Sequence, residues 1–88
     1  MSPAARIEAA THALDRALGQ HLHPAVRVQL GRAHRELDAL RAIDAGESLA
    51  APATAISRRL RKIEPHVAPG VGEQISDAHG HLRRLGAR

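Results

Sequence analysis

The sequence predicts an all-α fold: a small antiparallel four-helix bundle built from two repeated helical hairpins, expected to self-associate. Three observations carry that expectation. Residues 21–42 and 66–87 align without a gap, with His21/His66, Pro24/Pro69, Val26/Val71, Gln29/Gln74, Ala33/Ala78, His34/His79, Leu37/Leu82, Leu40/Leu85 and Ala42/Ala87 identical. Self-similarity at a fixed period marks a repeated supersecondary unit. Apolar residues recur at steps of three and four through four segments, and nothing alternates with period two, so helices are expected and strands are not. Prolines open these segments, and glycine or proline closes them.

The first helix is expected over about residues 3–19. Ser2 supplies an N-cap oxygen, and Pro3 stands in the first turn, where its missing N–H would be unpaired anyway. Gly19 ends the helix. Its stripe is Ile7, Ala10, Leu14 and Ala17/Leu18. The second, about residues 24–45, opens at His23-Pro24, carries Val26, Leu30, Ala33, Leu37 and Leu40, and is closed by Gly46. The third, about residues 51–64, opens at Ala51-Pro52, carries Ala53, Ile56, Leu60 and Ile63, and stops at Pro65, whose ring excludes further helix. Ser48 offers an earlier start, which would push Pro52 inward. The fourth, about residues 69–86, opens at Ala68-Pro69, carries Val71, Ile75, Ala78, Leu82 and Leu85, and closes at Gly86. One seam per helix is what an antiparallel bundle buries, and short links favour an up-down-up-down path.

Length and composition limit how well such a bundle is filled. Eighty-eight residues make one domain, 1–88, without Phe, Trp, Tyr or Cys, and the 43% apolar content is mainly Ala and Leu. Large apolar side chains contribute about 1.5–3 kcal/mol each when fully buried, and Ala far less. A core of this kind is marginal at this length, so a homo-oligomer or a partner helix is expected to cover the seam Leu30, Leu37, Leu40, Ile75, Leu82 and Leu85. The lack of cysteine excludes disulfides and thiolate metal sites and fits a cytoplasmic setting. No stretch is apolar enough to span a membrane. Arg6, Glu8 and His12 interrupt any signal-peptide core, so an intact cytoplasmic protein starting at Met1 is expected. The net charge of +4 is uneven: residues 1–46 hold six Arg and five acids, residues 47–88 seven Lys and Arg and four acids. The basic second half favours acidic partners.

Two segments carry a resemblance to a known family. They are Pro24-Ala25-Val26-Arg27-Val28-Gln29-Leu30 at the start of the second helix and Ile63-Glu64-Pro65-His66-Val67 between the third and fourth. With the closing pair Leu85-Gly86, they make about residues 7–87 resemble the bacterial domain-of-unknown-function family 4404, a family of short helical proteins. The family favours an aromatic where Ile63 stands. It places proline after the histidine, whereas Pro65 and Pro69 flank His66 here. The resemblance implies a helical fold and carries over no functional residue.

Histidine is the commonest chemically versatile residue, at positions 12, 21, 23, 34, 66, 79 and 81. None of these makes the three- or four-residue spacing of a helical metal pair. Topology brings the first and third links to one end of the bundle, where His21, His23 and His66 with a water could complete a tetrahedral zinc site; loop histidines also serve as plain polar turn residues. His34 and His79 stand at one level on parallel helices, each behind a small seam residue, as a cofactor site in a bundle would require. An imidazole at a seam's edge also simply covers core.

Arg58, Arg59, Arg61 and Lys62 form a basic run in the third helix and are the candidate nucleic-acid contacts, suited to phosphates more than bases. No aromatic is present to stack on single strands, and cations near a helix C-terminus also compensate its dipole. The serines and glycines match no nucleophile elbow or phosphate loop. The expected function is therefore a non-enzymatic helical interaction or homodimerising module. The alternatives are a basic accessory nucleic-acid-binding protein and a histidine-based metal-binding bundle.

Overall fold

Four α-helices form among the described residues of the chain's computed structural model, which are residues 2–42 and 49–86. They are α1 (Pro3–Leu18), α2 (Pro24–Ala39), α3 (Ala50–Ile63) and α4 (Pro69–Gly86). No strand occurs among these residues, and no helix is long and apolar enough to cross a membrane. The expected end of the second helix at residues 43–45, its stop at Gly46, and Ser48 lie outside the described residues, as do Ala87 and Arg88.

Local chemistry sets the helix starts. The Ser2 hydroxyl accepts the Ala5 N–H at 3.1 Å, satisfying one of the free donors of the first turn. His23 does the same for α2, its Nδ1 accepting the Ala25 N–H at 3.1 Å. The α3 helix begins at Ala50, so Pro52 is its third residue and still within the turn whose N–H groups have no helical acceptor. The ends depart from expectation in two places. Beyond Ala39, α2 tightens into a 3-10 turn, Leu40–Ala42, and α3 does so over Glu64–His66 around Pro65. Gly19 follows α1 at φ −76°, in the right-handed region, so it ends the helix without the left-handed turn for which glycine is usually needed.

Neighbours pack in a ring. The α1 helix lies against α2 and α4, and α3 lies against α2 and α4, which leaves α2 and α4 diagonal. The α1/α4 and α3/α4 interfaces are the extensive ones; α2 is the more loosely held helix. Leu14, Leu30, Leu37, Ile56, Leu60, Ile75 and Leu82 are fully buried at the centre, together with Ala10, Ala13, Ala17, Ala33, Ala53 and Ala78. Alternating Leu or Ile with Ala lets the helices approach closely without an aromatic filler.

This packing corrects the expectation of an uncovered seam. Leu30, Leu37, Ile75 and Leu82 are fully buried within one chain, Leu40 is 4% exposed, and Leu85 packs partly buried against the same core. The two hairpins turn their seams toward each other inside one molecule. Five of the six residues are thus already buried within one chain, and Leu85 partly so.

Candidate docking groove

Where α2 and α3 part, they leave an open groove of about 630 Å³. From α2 come Ala25, Val26 and Gln29. From α3 come Ala55, Arg58, Arg59, Lys62 and Ile63, and His66 follows on the 3-10 turn. Helical spacing explains the set: Ala25 and Gln29, and Ala55, Arg58, Arg59 and Lys62, recur at three and four residues and so share a face. Val26 and Ile63 reach in from the edge of the core and make an apolar floor. Among the described residues, no carboxylate lines the groove.

Its charge is positive and partly free. Arg59 is held by Glu36 of α2 in an ion pair across the two helices. Among the described residues, neither Arg58 nor Lys62 is paired with an acid. Outside the lip stands Val28, 62% exposed and the one exposed large apolar side chain among the described residues. It lies three residues from Ala25 on the same side of α2. Exposed Arg32 follows, three residues beyond Gln29.

The groove gathers some of the residues singled out from sequence and separates others. Arg58, Arg59 and Lys62 line it, but Arg61 points its charge toward α4, where it acts on His79. The basic run is therefore split between two faces, as a helix must split four cations in five residues. His66 sits at the groove's end, whereas His23 is turned to cap α2. His21, His23 and His66 do not come together as a metal-ligating group, and no group of three or more His, Asp or Glu does so among the described residues. His34 and His79 are likewise apart, because α2 and α4 are diagonal: His34 Nε2 meets Asp15 of α1 at 2.7 Å, and His79 lies on the α3 side. Burial holds the His79 imidazole below its ordinary pKa; Arg61 and Arg83 push it the same way and Glu64 opposes them.

The groove itself leaves no signal in the sequence. Ala25, Gln29 and Ala55 carry no chemical signal, and Val28 lies off the seam. Only the splaying of α2 from α3 makes them a surface. A second hollow, about 310 Å³, lies along α4 between Glu73, Asp77, Gly80 and Arg84, and it is polar. Comparison with protein-family models, curated proteins and solved structures finds no match for this chain.

Proposed function

We propose that this chain is a non-enzymatic protein–protein interaction module, and that the α2/α3 groove receives a helix of a partner. The observation that carries the reading is the open groove between α2 and α3, whose floor is made by half-buried Val26 and the edge of Ile63, with exposed Val28 elsewhere on α2. An apolar groove between helices is the surface on which an amphipathic helix lays its anchors. A cytoplasmic setting and membership of the bacterial family 4404 belong to the same proposal, supported by the lack of cysteine and by the two segments that resemble the family.

Two alternatives weigh less. Nucleic-acid binding is favoured by Arg58, Arg59 and Lys62 sharing one groove, but Glu36 neutralises Arg59 and Arg61 lies elsewhere. A homodimer through the groove is opposed by charge, because two-fold pairing would set basic rims against each other.

The test is selection from a display library of random peptides, roughly 16 residues long, on the folded chain. Peptides with apolar residues at helical spacing are expected to be enriched, and to be lost on Ala55→Gln, which lengthens an exposed side chain on the groove wall. Enrichment without that spacing, or insensitive to Ala55→Gln, contradicts the reading.

A further inference from the structure

We infer that the partner helix is acidic, and that its carboxylates take the place that Asp77 fills in the other half of the molecule. This inference rests on the groove being a docking site, and it comes from comparing the two halves. The α2 and α4 helices correspond through the repeat, so Val28 matches Glu73, Gln29 matches Gln74 and Arg32 matches Asp77. Burial aligns α1 with α3: Ile7, Ala10, Thr11, Leu14 and Ala17 are buried, as are Ala53, Ile56, Ser57, Leu60 and Ile63. In that alignment Arg16 matches Lys62 and Ala13 matches Arg59.

The α2/α3 groove is therefore the counterpart of the extensive α1/α4 interface. That interface is closed by a set of contacts that is not repeated at the corresponding positions of the groove. Arg16 of α1 donates from Nε to Gln74 Oε1 of α4 at 2.8 Å and meets the Asp77 carboxylate at 3.5 Å. Ala13, fully buried, gives α4 room to approach. At the corresponding positions of the groove the cation is kept as Lys62 and the amide as Gln29, but the acid has become Arg32 and the small residue has become Arg59. Like charges on facing helices repel, and the only ion pair spanning these two walls among the described residues is Arg59 with Glu36, which leaves Arg58 and Lys62 without an acid. Glu73 has become Val28, so an acidic flank has become an apolar one.

What this half lacks is thus an apolar ridge bearing carboxylates. A second copy does not bring it: among the described residues the acidic face of α4, with Glu73 and Asp77, exposes no large apolar side chain. The wall from Ala55 to His66 runs about 16 Å at 1.5 Å per residue, which matches three turns of a partner helix. The occupant is accordingly an amphipathic helix of another protein, about 11–12 residues long, with apolar anchors flanked by Asp or Glu.

Two synthetic peptides with one apolar seam, taken from the selection, decide the matter by fluorescence anisotropy: one with Glu on its flanks, one with Lys. The Glu peptide is expected to bind at least about tenfold more tightly at low salt, with the preference shrinking as salt is raised. Arg58→Glu with Lys62→Glu is expected to abolish or reverse the preference, and Arg32→Asp to reduce it. All three positions are exposed, and circular dichroism checks that each variant stays helical. Equal binding, or tighter binding of the Lys peptide, overturns the acidic partner while leaving the groove as a docking site. If Ala55→Gln leaves both affinities unchanged, the docking reading itself fails. If neither peptide binds and a DNA duplex binds through Arg58 and Lys62, both give way to nucleic-acid binding.

Discussion

Gly80 stands inside α4, and among the described residues nothing beyond its own stretch of helix lies within 4 Å of where a Cβ would be. Glycine within a helix costs about 0.5–1 kcal/mol relative to alanine, because it loses more backbone freedom on folding. Gly80→Ala is therefore expected to raise stability by about that amount in urea unfolding; unchanged or lower stability would mean that the position is crowded after all. His79 carries a pH dependence of definite sign. Its folded-state pKa lies below the ordinary value near 6.5, so in acid the unfolded chain takes up a proton that the folded chain resists. The stability that His79 contributes is complete above that value and declines as the pH falls through it. Thermal unfolding between pH 8 and pH 5 is expected to show this decline, and His79→Gln to flatten it; an equally steep decline in the variant would assign it to other groups. Neither property was visible in the sequence. The His34/His79 pairing suggested a shared site, yet one imidazole faces α1 and the other α3, since the repeat copies position along a helix and not the neighbour across it.

At the scale of the element, the seams were legible because helical spacing alone selects them. Leu30, Ala33, Leu37 and Leu40, and Val71, Ile75, Ala78 and Leu82, are all buried where the three-and-four spacing puts them. Helix α1 buries more than its stripe: Ala13 and Thr11 are also sealed, and Thr11 satisfies its hydroxyl by donating to the Ile7 carbonyl at 2.7 Å. Spacing ranks such small or polar residues below leucine, so they escape notice until α4 is seen to cover them. Helix α4, with glycine at 70, 72, 80 and 86, is a poor helix by propensity. It persists because two neighbours pack on it, α1 and α3, through Ile75, Ala78 and Leu82. Helix α2 has the better capped start and the weaker packing. Arg27 anchors its first turns by donating to the Leu18 and Gln20 carbonyls at 2.9 and 3.1 Å, which ties the α1–α2 link and leaves the α3 side of the helix free.

For the whole molecule, the expectation of self-association rested on a marginal core, and its premise was half right. The core is small and without aromatics, but the two hairpins close it within one chain. Closure is unequal: one side is drawn together by Arg16, Gln74 and Asp77, and the other keeps an open groove lined by Lys62 and Gln29, with exposed Arg32 one turn beyond Gln29. The repeat announced two copies of one hairpin. The difference that matters lies in a few flanking positions where the copies disagree, and hydrophobic spacing carries no information about those. The proposed partner binds on the open side. Titrating the isotopically labelled chain with the selected peptide, while following its amide resonances, locates that binding directly. Shifts are expected at Ala25, Gln29, Ala55 and Lys62, with Ala13, Gln74 and Asp77 unmoved. Shifts centred on α1 and α4, or none along the groove, would contradict it.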